Sequence, residues 1–90
     1  MEIDNQAGIS DNYAQSFARE ITRMAGENPL LVNFRSIVPF DITVAFRDEL
    51  AAYKLAYAYR EHAQNRVKIE IANGPKFPGA FLVVIQPKKP

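Results

Sequence analysis

Any chemistry in this chain has to begin with a single histidine. His62 closes the run "LAAYKLAYAYREH", which also holds Tyr53, Tyr57 and Tyr59, three of the four tyrosines. A catalytic imidazole needs a partner that orients it. If the run is helical, the residues three and four positions before His62 and four after it are Tyr59, Ala58 and Arg66. None of them is a carboxylate, and Glu61, adjacent in sequence, faces elsewhere. His62 therefore reads as a helix-end residue facing the last carbonyls.

The other routes to a reaction are equally thin. There is no cysteine, so thiolate chemistry, disulfides and Cys-ligated zinc are excluded. One histidine and scattered carboxylates do not make a transition-metal site. The adjacent pair Asp48 and Glu49 lies in no loop that gathers oxygen ligands for calcium. Four dispersed glycines form no phosphate loop. Two carboxylates brought together by the fold, such as Asp41 and Glu61, stay open as an alternative. The expectation is a protein that is not an enzyme, with no catalytic, cofactor-binding or metal-binding residue and no cofactor.

Binding has better candidates. In "NGPKFPGAF", Lys76 and Phe77 lie between prolines, where a cation beside an aromatic ring suits a phosphate and a stacked base. Arg66, Lys68, Lys88 and Lys89 are close in sequence and extend this into a basic nucleic-acid candidate. The opposing reading is a rigid turn with Phe77 folded back on the core. It is favoured, because a pI near 8.0 is below the usual nucleic-acid footprint.

The charges are unevenly spread. Residues 1–30 carry a net −3, residues 31–63 balance, and residues 64–90 carry +4, for +1 overall. Such a distribution bears on partners rather than on fold. Ninety residues, 48% apolar, suit one domain with a real core. The acidic start is not a signal peptide, and the longest apolar run, "FLVVI", cannot span a bilayer. With no cysteine, the expected location is cytoplasmic.

The elements that must position these residues follow from spacing. Residues 1–8 read as a flexible lead, or Met1–Asp4 as a short edge strand. Ser10 is a helix N-cap with Asp11 in the first turn, and Gly26 with Pro29 ends that helix. Tyr13, Phe17, Ile21 and Met24 recur on one of its faces. "LLVNFRSIV" alternates as a strand. "FDITVAFRDEL" fits two patterns: a strand through Phe40, Ile42, Val44 and Phe46, or a helix starting with Asp41 as cap and running to about Gln64. The longer helix is expected, because good cap residues are missing just before Arg47. "RVKIEIA" and "AFLVVIQ" read as an antiparallel hairpin whose second strand is central, and residues 87–90 as a polar tail.

The whole is a single α+β domain: two helices packed on one face of a small mixed sheet of three to four strands. With a strand at Met1–Asp4 the order is βαβαββ. In element order and in the basic ending "VVIQPKKP" this resembles the C-terminal domain of translation initiation factor 3 and some small nucleic-acid-binding domains. Element order does not carry function.

On the second helix, Leu50, Tyr53 and Tyr57 make one apolar stripe, assigned to the core. Ala51, Leu55, Ala58 and Tyr59 make another. A helix needs only one stripe to cover a sheet. The second stripe is left for the first helix, for a second subunit or for a small apolar ligand. The expected function is a small non-enzymatic binding domain, homodimeric through Leu55, Tyr59 and Ala51, with Lys54, Arg60 and Glu61 setting the register. Tyr59→Glu or Leu55→Asp would then yield a folded monomer. The alternatives are the nucleic-acid module above and an apolar small-ligand pocket lined by tyrosines. No membrane partner is expected.

Overall fold

The structure, a computed structural model, describes residues 1–61 and 65–87. His62, Gln64, Lys88 and Lys89, which carry expectations above, lie outside the described residues. The elements are β1 (Glu2–Asn5), α1 (Asp11–Ala25), β2 (Leu31–Ser36), β3 (Asp41–Phe46), α2 (Glu49–Glu61), β4 (Asn65–Ile71) and β5 (Phe81–Pro87).

The strands form one sheet in the order β1-β2-β3-β5-β4. β1 pairs with β2 in parallel, and the other three pairings are antiparallel. Both helices pack on one face, giving a two-layer α+β domain. It has five strands rather than three to four, because Glu2–Asn5 does pair and residues 41–46 add a strand. The order is thus βαββαββ, one strand more than βαβαββ. β3 and β4 run parallel to each other on either side of β5, and α2 is the crossover between them.

Strand, not helix, is the outcome for residues 41–46. Ile42, Val44 and Phe46 are fully buried on the helix-bearing face, beside Phe34 and Val32 of β2 and Ile85 and Val83 of β5. A strand lets all three reach one core, with β3 bonded on both sides. The cap thought to be missing is Asp48: its Oδ1 accepts the Leu50 N–H at 3.0 Å, and α2 starts there.

α1 is bounded as expected. Ser10 Oγ accepts the Tyr13 N–H at 3.2 Å, and Gly26 takes a left-handed conformation with its N–H on the Thr22 carbonyl. Its buried stripe differs from the expectation. Ala14, Ala18, Ile21 and Ala25 face the core, while Phe17 and Met24 are half-buried and Tyr13 is exposed. Small side chains let the helix approach the sheet closely. The large ones close the flanks.

β5 is central as expected, with Val83, Val84 and Ile85 all buried. β4 is an edge strand whose outward Arg66, Lys68 and Glu70 discourage further strand pairing. The segment between β4 and β5 reaches back over the sheet end, and Lys76 forms an ion pair with Glu2 of β1.

Candidate interaction surface

α2 presents to its surroundings the stripe opposite to the one expected. Ala51, Ala52, Leu55 and Ala56 are buried, and Leu55 is enclosed completely within the core cluster. Tyr59 packs against that cluster and stacks on Phe40 at 5.9 Å between ring centroids. Phe40 in turn meets Phe17 of α1 at 5.6 Å. Ala51 and Leu55 therefore cannot meet a partner without opening the core, and Tyr59 is half-buried against it. What is exposed is Leu50 (59%), Tyr53 (52%) and Tyr57 (66%).

These three side chains, with Met24 of α1 and flanked by Lys54 and Arg60, line an open groove of about 450 Å³ along the outer side of the helix layer. A volume of that size falls within the ordinary range for small-molecule pockets. Such pockets, however, enclose most of their ligand, and this groove is shallow and open. Its form suits a protein surface better.

The charges around the groove are ordered. The acidic Asp48 and Glu49 open α2, where carboxylates favour the positive end of the helix dipole, and Arg60 lies in its last turn. Glu27 sits beside this acidic end. Partial loss of hydration, and then the neighbouring Asp48, raise its carboxyl above the usual range. Lys54 turns towards the C-terminal end of α1: its Nζ would lie 3.6 Å from a Cβ placed on Gly26. The Arg60 guanidinium approaches the Val67 carbonyl at 3.4 Å, and Glu61 is exposed. On α1, hydrogen bonding to Arg23 holds the Glu20 carboxyl below its usual range.

Tyr59 is the one titratable group whose position in the core sets its chemistry. Burial, then the nearby Glu20 and Tyr13, push its phenol up to about 12. A raised pKa in the fold means the unfolded chain releases this proton first. The stability it supports is intact below about pH 10 and falls as pH rises towards 12. The urea midpoint of the wild type is expected to drop over that range. The loss attributable to Tyr59 is at most about 2 kcal/mol after allowing for its part-exposed ring, and Tyr59→Phe should remove it. Equal slopes for the two proteins across pH 10–12 would contradict this.

Among the described residues, the basic candidates are not assembled into one patch. Lys76 is paired with Glu2 at the opposite edge of the sheet, and Lys68 with Glu70 at 3.0 Å. Arg66 and Lys68 share the helix-free face of β4, and Phe77 is half-buried with φ 50°. Asp41 and Glu61 do not form a carboxylate pair. Asp41 belongs to the sheet face opposite Ile42, and Glu61 ends a helix on the other side. Among the described residues no three His, Asp or Glu side chains come together as a metal site, and no helix is long and apolar enough to cross a membrane.

The exposed stripe had a signal in the sequence. At about 100° per residue, Ala51, Ala52, Leu55, Ala56, Ala58 and Tyr59 fill an arc of about 160° that contains no charge. The charged residues of α2, Glu49, Lys54, Arg60 and Glu61, all surround Leu50 and Tyr57. The charge-free arc, not the largest side chains, marks the buried face.

Comparison of the chain with protein-family models, with curated proteins and with solved structures finds no match.

Proposed function

We propose that this chain is a small non-enzymatic interaction domain that works as a homodimer in the cytoplasm, docking through the outer ridge of α2. One observation carries the reading: the core is complete without Leu50, Tyr53 and Tyr57, yet all three are large, apolar and contiguous on an outer face. Scattered exposed apolar residues need no explanation, but a contiguous group rimmed by charge is how docking surfaces are built. Tyrosine suits the task, since it buries a large ring and keeps a hydroxyl for a wet rim.

The surface is modest. At roughly 200 Å² per tyrosine, the exposed parts of the three side chains offer on the order of 300 Å² per chain. A standard stable interface uses about 800 Å² per partner. Self-association is therefore weak and concentration-dependent.

Light scattering over a concentration series checks this. The wild type should approach the dimer mass at high concentration. Tyr57→Glu should stay monomeric with an unchanged far-UV circular dichroism spectrum, because the substitution touches no core contact. A wild type that remains monomeric throughout the series would refute the homodimer. A thermal-shift screen with hydrophobic compounds separates the small-ligand alternative, because a ligand that binds only the native state raises its melting temperature.

A further inference from the structure

We propose that two copies join along the free edge of β4, as antiparallel strands about a two-fold axis at Ile69. The inference rests on the self-docking reading above and adds a backbone contact to it.

The ridge of α2 alone offers less area than a standard interface uses, so a stable dimer needs further contact. β4 supplies it at the same end of the sheet. It is the outermost strand, and among the described residues no strand pairs with its outer side. The Ala72 N–H donates to the Ala80 carbonyl at 2.9 Å, and antiparallel pairs alternate between bonded and unbonded. Arg66, Lys68 and Glu70 therefore bond to β5, while Asn65, Val67, Ile69 and Ile71 point their N–H and C=O groups outward. The Arg60 guanidinium near the Val67 carbonyl marks that direction. Such a row of free groups is a template for another strand.

The charges of β4 oppose pairing with most strands, and they also select one register. A two-fold axis normal to the sheet makes the two edges antiparallel and keeps all helices on one face. Outward residues must meet outward residues, which puts the axis at a residue and not between two. At Arg66, Lys68 or Glu70, the axis sets that residue beside its own copy. At Val67 it sets Arg66 beside the partner's Lys68. At Asn65 or Ile71 most of the strand stays unpaired. At Ile69, Lys68 lies opposite the partner's Glu70 and Arg66 opposite the partner's Ala72, so no like charges face each other. Lys68 and Glu70 already pair within the chain at 3.0 Å, and the new contact extends them into a square of alternating sign. On the helix-bearing side, the same register lays the partner's Val67 beside Ile71, which is 52% exposed in the single chain.

α2 packs on β4 and β5. With strands about 4.8 Å apart, the two α2 helices come about 10 Å from each other, the distance of packed helices. Tyr53 and Arg60, two turns apart on the β4 side of α2, then turn towards the partner. Edge and ridge thus belong to one dimer.

Three variants test the register. Ile71→Pro removes an outward N–H that no group of the same chain uses, a position where an edge strand accepts proline. It should keep the wild-type circular dichroism spectrum and raise the dimer dissociation constant at least tenfold. Lys68→Glu should raise that constant roughly tenfold by facing the partner's Glu70, and adding Glu70→Lys should restore it. The chain has no cysteine, so introduced ones report proximity cleanly. Residue 66 lies beside the partner's residue 72, but about 20 Å from its own copy at 3.4 Å rise per residue. Under mild oxidation, a mixture of Arg66→Cys and Ala72→Cys should yield a disulfide-linked dimer, and each variant alone should yield little. If light scattering shows a wild-type dimer while the mixture fails to crosslink or the charge swap fails to rescue, the β4 register is wrong and self-docking stands. If the wild type is monomeric at high concentration, both fail.

Discussion

Leu55→Asp is expected to leave no folded protein, rather than a folded monomer. Leu55 is enclosed on all sides between α2, α1 and the sheet, with Ala51, Ala52 and Ala56 holding the helix close. Removing a buried leucine side chain costs about 2–5 kcal/mol through lost transfer energy and the cavity left behind. A carboxylate in its place adds several kcal/mol more, because no cation lines the core to pair with it; among the described residues no buried side chain is polar or charged. The total stability of a domain this small is about 5–15 kcal/mol, and towards the lower end for its length. The far-UV circular dichroism spectrum and the dispersion of amide proton resonances check this directly. A dispersed, native-like spectrum for Leu55→Asp would mean that α2 sits on the sheet by its other stripe.

Phe34→Ala is expected to lower stability by about 3–5 kcal/mol while leaving a fold that can still be populated. Phe34 lies on β2, fully buried, opposite Ile42 of β3, and receives the edge of Phe17 from α1 at 5.5 Å between centroids. It therefore ties β2 to the helix layer. Truncation removes a large ring from water-free surroundings and strips an aromatic partner from Phe17. Urea titration followed by circular dichroism measures the change as a fall in midpoint with an unchanged slope. Tyr57→Ala, on the exposed ridge, serves as the comparison and should stay within about 0.5 kcal/mol of the wild type. Equal losses in the two variants would contradict the division between core and ridge.

These two results bear on how much of the molecule was legible beforehand. Local signals read true where one short stretch held all the information. Ser10 and Gly26 bounded α1 because capping depends on a few adjacent backbone groups. The run "FLVVI" marked an interior strand because so apolar a segment is safest where strands pair along both of its edges. Both stand in the structure. Residues 41–46 were harder, since Ile42 and Phe46 satisfy periods of two and of four alike. Only the availability of β2 and β5 as neighbours decided for strand.

The α2 surface is the sharpest case. Leu50, Tyr53, Leu55, Tyr57 and Tyr59 are all apolar enough to be core, and of the two stripes they form, the one assigned to the core is the exposed one. The helix lies close to the sheet, so its inner face is mostly alanine, and the larger rings are displaced outward. The ordering of charge around the wheel carried the answer.

By itself, the sequence determined the class of fold, the ends of α1 and the central position of β5. These follow from hydrophobic period, capping chemistry and residue type, which act over a few neighbours along the chain. Tertiary structure alone decided that residues 41–46 are a strand, that Lys76 is paired with Glu2 across the sheet, and which side of "LAAYKLAYAYREH" is left outside. Each of those depends on what packs against what over long separations in sequence, where the energy of burial outweighs local preference.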